Sequence, residues 1–242
     1  MRIHHTVTGL LLTSLLVACG GGGGGGGGSA PVTTGPVIST LSFPFQSANS
    51  ARIANGYTKT YTISGDCTGT ATDTAMPAAA VTGGATFGSG STVGQQSVQQ
   101  TLSINFTSCT PSSSVSTATS YFDSNYTPQG SVASAISRVY LTPPVIPASV
   151  VVGSGGRIGT LTNYDRSSPP VVIGTTDVSY LVVPETATTA ILNLTSVNSD
   201  NAGTVISTEQ DRYRIGITGA LTPISIDILQ NVTAGPKHLV FQ

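Results

Sequence analysis

Tyr57-Thr58-Lys59-Thr60-Tyr61-Thr62-Ile63-Ser64 has the alternation of a half-buried β-strand. Tyr57, Tyr61 and Ile63 share one parity and face away from an uninterrupted threonine parity. That period of two belongs to a strand buried on one face and wet on the other, and tyrosine, threonine and isoleucine suit a pleated surface. Gly65-Asp66 then reads as a turn into a small-residue strand from Cys67 to Thr74. Ala75 to Gly94, rich in Gly, Ala, Ser and Thr, reads as a long loop or weak hairpin. Beyond it, Val98, Leu102, Ile104 and Phe106 occupy the even face of another strand that ends at Cys109.

The same grammar continues to the end of the chain. Candidate strands are Val139–Leu141, Ser149–Val152, Arg157–Thr162, Val171–Ile173, Val178–Val183, Ala190–Leu194, Val205–Thr208, Tyr213–Ile217, Ile224–Leu229 and His238–Phe241. Gly153-Ser154-Gly155-Gly156, Ser168-Pro169-Pro170, Gly174, Asn198 to Gly203 and Gly219 separate them. Strands so short and frequent predict an all-β protein, an antiparallel sandwich, meander or barrel. No stretch carries a capped helical stripe. The one exception is Gln129 to Ser137, where Ala133, Ala135 and Ile136 allow a single turn. A boundary near Thr127-Pro128-Gln129-Gly130 divides a cysteine-bearing region, 38–128, from a β-rich region, 129–242; the two are equally compatible with one continuous domain.

The N-terminal stretch has a different character. The apolar run from Val7 to Val17 sits behind Arg2 and leads into Leu16-Val17-Ala18-Cys19. At about 11 residues it falls well short of the ~20 needed for a membrane-crossing helix, and it fits the apolar core of a signal peptide. This segment resembles the signal peptide and lipobox of bacterial lipoproteins. The resemblance implies removal of residues 1–18 and conversion of Cys19 to a diacylglyceryl thioether with an acylated (palmitate-type) amine. Gly20 after the cysteine, in place of aspartate, implies sorting to the outer membrane in Gram-negative members. Three acyl chains exceed the two signals that stable anchoring needs. Gly20 to Gly28 and the following Ser29-Ala30-Pro31 and Gly35-Pro36 then read as a disordered tether over residues 19–37. About 18 such residues reach roughly 20–25 Å.

In the oxidising compartment this address implies, Cys67 and Cys109 form an even pair expected to bridge. A metal site is the competing reading, but no histidine or further cysteine lies near enough in sequence to complete four ligands. The bridge joins the start of one strand to the end of another, a spacing compatible with a sandwich stapled across its sheets. Charged residues make up 8% of the chain and the net charge is −1. Such a surface lacks the basic field that nucleic acid demands, so the expected membrane attachment is through lipid and not charge.

The chemistry-bearing residues are sparse. Outside the signal segment His238 is the only histidine, no G-x-S-x-G elbow occurs, and the 153–159 glycine cluster lacks the phosphate-loop lysine and spacing. Glu209-Gln210-Asp211-Arg212-Tyr213-Arg214 is the densest polar cluster. On a strand, Glu209, Asp211 and Tyr213 face one way and Gln210, Arg212 and Arg214 the other. Two carboxylates about 7 Å apart suit acid/base work on sugars, whereas a solvated strand face or an ion-paired sheet edge is the plainer reading. Tyr121, Asp123, Asn125 and Tyr126 form a second candidate, with rings for stacking on sugars and polar groups for their hydroxyls; ordinary cross-strand packing competes. Asn198 to Gly203 lacks the spacing of a calcium loop. No cofactor and no metal are expected.

These observations lead to one expectation. The chain reads as a lipid-anchored outer-membrane lipoprotein, a structural or interaction module of the envelope and not an enzyme. Its partners are the membrane, through lipid, and an envelope polymer or protein. A glycan- or polymer-binding module is the alternative, and a glycan hydrolase the third reading.

Overall fold

Alternation becomes curvature in the computed structural model, which describes residues 39–242 apart from 84, 89, 91, 233 and 234. Tyr61 and Ile63 are fully buried while Thr58, Thr60 and Thr62 stay exposed. Eleven further strands complete the sheet, some alternating in the same way and some buried on both faces. The strands are β1 (Tyr57–Gly65), β2 (Gly69–Ala75), β3 (Gln96–Phe106), β4 (Ser113–Phe122), β5 (Pro128–Ala133) and β6 (Ile136–Tyr140). They continue as β7 (Gly155–Asp165), β8 (Val172–Pro184), β9 (Thr189–Asp200), β10 (Val205–Gly216), β11 (Leu221–Val232) and β12 (Gly235–Phe241).

Each strand pairs antiparallel with its sequence neighbour, and β12 returns to β1 through Leu239↔Gly65, Val240↔Ser64 and Phe241↔Ile63. The result is a 12-stranded up-and-down barrel. Closure removes the free edges that a sandwich retains. Strands drawn from both sides of residue 128 form this one sheet.

Cys67 and Cys109 are bridged, with Cα atoms 5.6 Å apart. They lie in the β1–β2 and β3–β4 turns, at one end of the barrel, just past the last β2–β3 pair, Gly69↔Phe106. The bridge therefore clamps neighbouring turns of one wall, in place of the cross-sheet staple expected from spacing.

Three other expectations change. Gln129 to Ser137 is not helical: it forms most of the β5–β6 hairpin, with Ser137 paired to Val132. The predicted pairs Val171–Ile173 with Val178–Val183, and Val205–Thr208 with Tyr213–Ile217, fuse into the single strands β8 and β10. Gly174, read as a turn, is an in-strand glycine whose Cβ would meet Ser199 O at 2.0 Å, so only glycine fits that close approach. The third change is a helix, α1 (Phe45–Asn55), where none was expected. Its buried positions Phe45, Ala48, Asn49 and Ile53 recur at helical spacing, but Asn49 and the nearby Arg52 break the apolar stripe. Gly56 ends it at φ +66, with a left-handed conformation and Ala75 O only 2.3 Å from where a Cβ would sit.

The helix lies inside the barrel. Phe45 packs with Val182, Leu192, Tyr213 and Ile215 of β8–β10, whereas Ile53 packs with Ala75, Val98 and Phe122 of β2–β4. Those strand groups sit across the ring from each other, so α1 spans the lumen. A second core, Tyr61, Ile63, Leu102, Ile226, Ile228 and Phe241, fills the β1–β3 and β11–β12 side toward the disulfide end. Between β2 and β3, Ala79 and Ala80 stay paired with Ser97 and Gln96, and residues 85–88 follow outside the lumen. Their Phe87 covers an outer apolar patch of Val139 and Tyr164, with its ring edge-on to Tyr121 at 5.7 Å.

Candidate functional site

Register fixes which side chains enter the lumen, because paired residues share a face. From Tyr213 the pairing runs through Leu192, Val182 and their neighbours, placing Asp73, Gln100, Ser131, Arg138, Asn163, Thr176, Ser196, Asn198, Glu209 and Asp211 inward. All are buried. The lumen is thus half apolar core and half polar network, and α1 adds Asn49 and Arg52 to the polar half.

Three groups of interactions organise it. Tyr57 donates its hydroxyl to Asp73 Oδ2 at 2.7 Å, and Gln100 Nε2 donates to Asp73 Oδ1 at 2.8 Å. Burial pushes the Asp73 pKa up; the bonds from Gln100 and Tyr57, and the charge of Arg52, oppose that rise. The Arg52 guanidinium lies 5.6 Å from the Tyr57 ring centre and 5.3 Å from that of Tyr213, and it donates to Asn49 Oδ1 at 3.2 Å. Burial works against its charge, but Tyr213, Tyr57, Asp211 and Asp73 outweigh burial and raise its pKa. Across the lumen, burial lowers the Arg138 pKa and the charge of Glu209 opposes that fall. A third chain runs from Asn163 Nδ2 to Thr176 Oγ1 at 3.0 Å and from Thr176 Oγ1 to Asn198 Oδ1 at 2.6 Å. Tyr57, Tyr61, Tyr140 and Tyr213 all have raised pKa values, burial being the largest cause.

Glu209 and Asp211 therefore point inward with Tyr213, as strand parity requires, and Gln210, Arg212 and Arg214 point outward. The expectation of a solvated face or a sheet edge does not hold: these carboxylates are buried in the lumen, where Arg138 and Arg52 supply opposite charge. Arg214 pairs instead with Glu185 on the outside. The aromatic candidate separates. Tyr121 faces outward beneath Phe87, Phe122 faces the lumen, and the strand stops there. Asp123 Oδ1 accepts the amides of Asn125 and Thr127, at 2.8 Å each, and Tyr126 follows with φ 62. These four residues build a turn with its own hydrogen bonds and share no face with Glu209 and Asp211. Asn198 to Gly203 contains the β9–β10 turn, where Asp200 Oδ1 accepts the amides of Ala202 and Thr204. His238 Nε2 meets Asp227 Oδ1 on the outer surface at 2.8 Å. Cys19 and the tether lie outside the described residues.

Arg52, Asp73, Gln100 and Arg138 are the lumen residues that strand reading missed. The signal for two of them was present: Asp73 interrupts the parity of Gly69, Ala71 and Ala75, and Arg138 that of Ile136 and Tyr140. A charge on the apolar parity of a strand marks a polar interior.

The outer wall of β1–β4 is the second candidate. Thr58, Thr74, Thr101 and Thr117 align in one row across four strands. Thr60, Thr72, Ser103 and Val115 form the next, and Thr62, Thr70, Asn105 and Ser113 the third. The rows stand about 6.8 Å apart with about 4.8 Å between strands. Hydroxyls bond along a row, as between Thr101 and Thr117 at 3.3 Å. Further round, Asp177, Gln210, Arg212, Asp227 and His238 also face outward, so the wall lacks the continuous apolar band of a lipid-facing barrel. Among the described residues no helix is long and apolar enough to cross a membrane, and no group of three or more His, Cys, Asp or Glu has metal-binding geometry. No family model, curated protein or solved structure matches the chain.

Proposed function

We propose that the chain is an outer-membrane lipoprotein, anchored through Cys19, whose barrel is an interaction module that meets its partner through the β1–β4 wall. The observation that carries this reading is the three-row array of Thr58, Thr60, Thr62 and their cross-strand neighbours. It holds no charged side chain and offers hydroxyl donors and acceptors at fixed spacing on a rigid closed sheet. Side chains preorganised in this way lose little freedom on binding. A partner with a neutral, hydrogen-bonding surface fits it.

Regular spacing favours a repeating envelope polymer over a single protein epitope as that partner. The stacking site built on Tyr121 and Tyr126 adds nothing to this reading, since Tyr121 is covered by Phe87. A hydrolytic role draws no support from Glu209 and Asp211, which are buried in the lumen near the charges of Arg138 and Arg52. The wall is tested with Thr72→Lys/Thr101→Lys, two outward positions that keep the strand pairing. Co-sedimentation with purified envelope fractions, glycan sacculi included, should fall at least tenfold with thermal stability unchanged. Undiminished sedimentation overturns the assignment. Anchoring is tested separately by Cys19→Ala, expected to move the protein from the outer-membrane fraction to the soluble one.

A further inference from the structure

Between α1 and the β3–β9 side of the barrel lies a cavity of about 140 Å³. Phe122, Ile158, Leu161, Val178 and Leu194 give it an apolar body. Arg52 and Arg138 both line it, and none of the lumen carboxylates, Asp73, Glu209 or Asp211, does. Its lining thus holds two guanidiniums and no carboxylate, while Glu209, Asp211 and Asp73 act on their charge from beyond the lining. Arg138 is 7% exposed, and its Nε has no hydrogen-bond partner among the described residues. The Nε of Arg52 is likewise unsatisfied. A buried guanidinium N–H without an acceptor carries the full cost of its lost water, and an anionic acceptor would make a charge-assisted bond there.

We propose that this cavity is a binding site for a small amphipathic carboxylate, its acid group accepting from Arg138 and its hydrocarbon or aromatic body resting on Leu161, Val178 and Leu194. The volume sets the size. A dry cavity of about 150 Å³ holds one benzene ring, so the ligand has roughly six to nine heavy atoms. Long-chain lipids and oligosaccharides are too large. The site lies inside the barrel and is independent of the outer hydroxyl wall.

Benzoate and benzyl alcohol are the probes, titrated calorimetrically into the purified full-length mature protein with its disulfide intact. Benzoate is expected to bind one to one, at least tenfold more tightly than benzyl alcohol. Arg138→Met should weaken benzoate at least tenfold and narrow the gap between the two probes. Leu161→Phe, which fills the cavity without touching a charge, should abolish binding of both. Should Arg138→Met fail to fold, the wild-type preference for benzoate and the Leu161→Phe result decide the matter. No saturable binding of benzoate up to about 10 mM overturns the proposal. So does equal affinity for the two probes, a loss below tenfold in a folded Arg138→Met, or binding that survives Leu161→Phe.

Discussion

Replacing Cys67 and Cys109 by serine removes a cross-link that closes a loop of 42 residues in the unfolded chain. On the chain-entropy relation the loss is about 13 cal/mol/K, or about 4 kcal/mol at 25 °C. For a chain of this size that is a fall in melting temperature of roughly 10 °C. The native state should change little. The turns that carry the two cysteines are already held by the β2–β3 ladder from Gly69↔Phe106 to Ala75↔Gln100, so stabilisation acts chiefly on the unfolded ensemble. Urea unfolding followed by far-ultraviolet circular dichroism checks this. The double serine variant should lose about 4 kcal/mol and show a steeper dependence on urea, because the freed chain exposes more surface. A loss below about 1 kcal/mol with unchanged slope would mean that the bridge does not restrict the unfolded chain. A loss well above about 5 kcal/mol would show that the bridge also holds the native seam together.

Three further outcomes are expected. Phe45→Ala deletes a ring that is 1% exposed and should cost about 3–5 kcal/mol in urea unfolding; a cost under about 1 kcal/mol would mean that the helix does not pack in the lumen. Asp73 has a raised folded pKa, so the native state holds its proton more tightly and this group's contribution to stability falls as pH rises from the ordinary carboxylate value through the raised one. The stability difference between wild type and Asp73→Asn should therefore shift toward the variant between pH 4 and pH 7, and a pH-independent difference contradicts it. Gly56→Ala places a Cβ against Ala75 O at a left-handed φ and should cost at least about 1 kcal/mol by thermal melting, whereas Gly83→Ala, equally left-handed but with open space around it, should cost less.

Much of the wall was legible because its physics is local. Tyr57, Tyr61 and Ile63 on one parity and threonine on the other needed only period two, and Val98, Leu102, Ile104 and Phe106 point where that rule sends them. Where reading failed, it failed at polar residues. Glu209 to Arg212 fell between two predicted strands because a strand interior is expected to be apolar, and Gly174 read as a turn because glycine commonly ends a strand. In a barrel this wide the interior tolerates charge, provided that each group finds a partner: Asp73 has Tyr57 and Gln100, and the carboxylate face of β10 has Arg138 and Arg52. The helix was hidden for the same reason. Asn49 and Arg52 lie on its inward stripe, so its apolar moment is weak although its spacing is helical. Ring closure of β12 on β1 and the seating of Arg52 over the Tyr57 and Tyr213 rings are long-range facts that no local pattern encodes.

The helix α1 bridges opposite walls of a closed barrel, and the mixed lumen, the cavity and the place of Arg52 all depend on it. Methyl and aromatic nuclear Overhauser spectroscopy on the oxidised protein tests this in one measurement. Cross-peaks from the Phe45 ring to Val182 and Ile215 methyls should appear together with cross-peaks from Ile53 methyls to Val98 and the Phe122 ring. Both sets in one sample place the helix across the lumen. Absence of either set, with the strand pairing intact, would mean that the helix does not span the lumen.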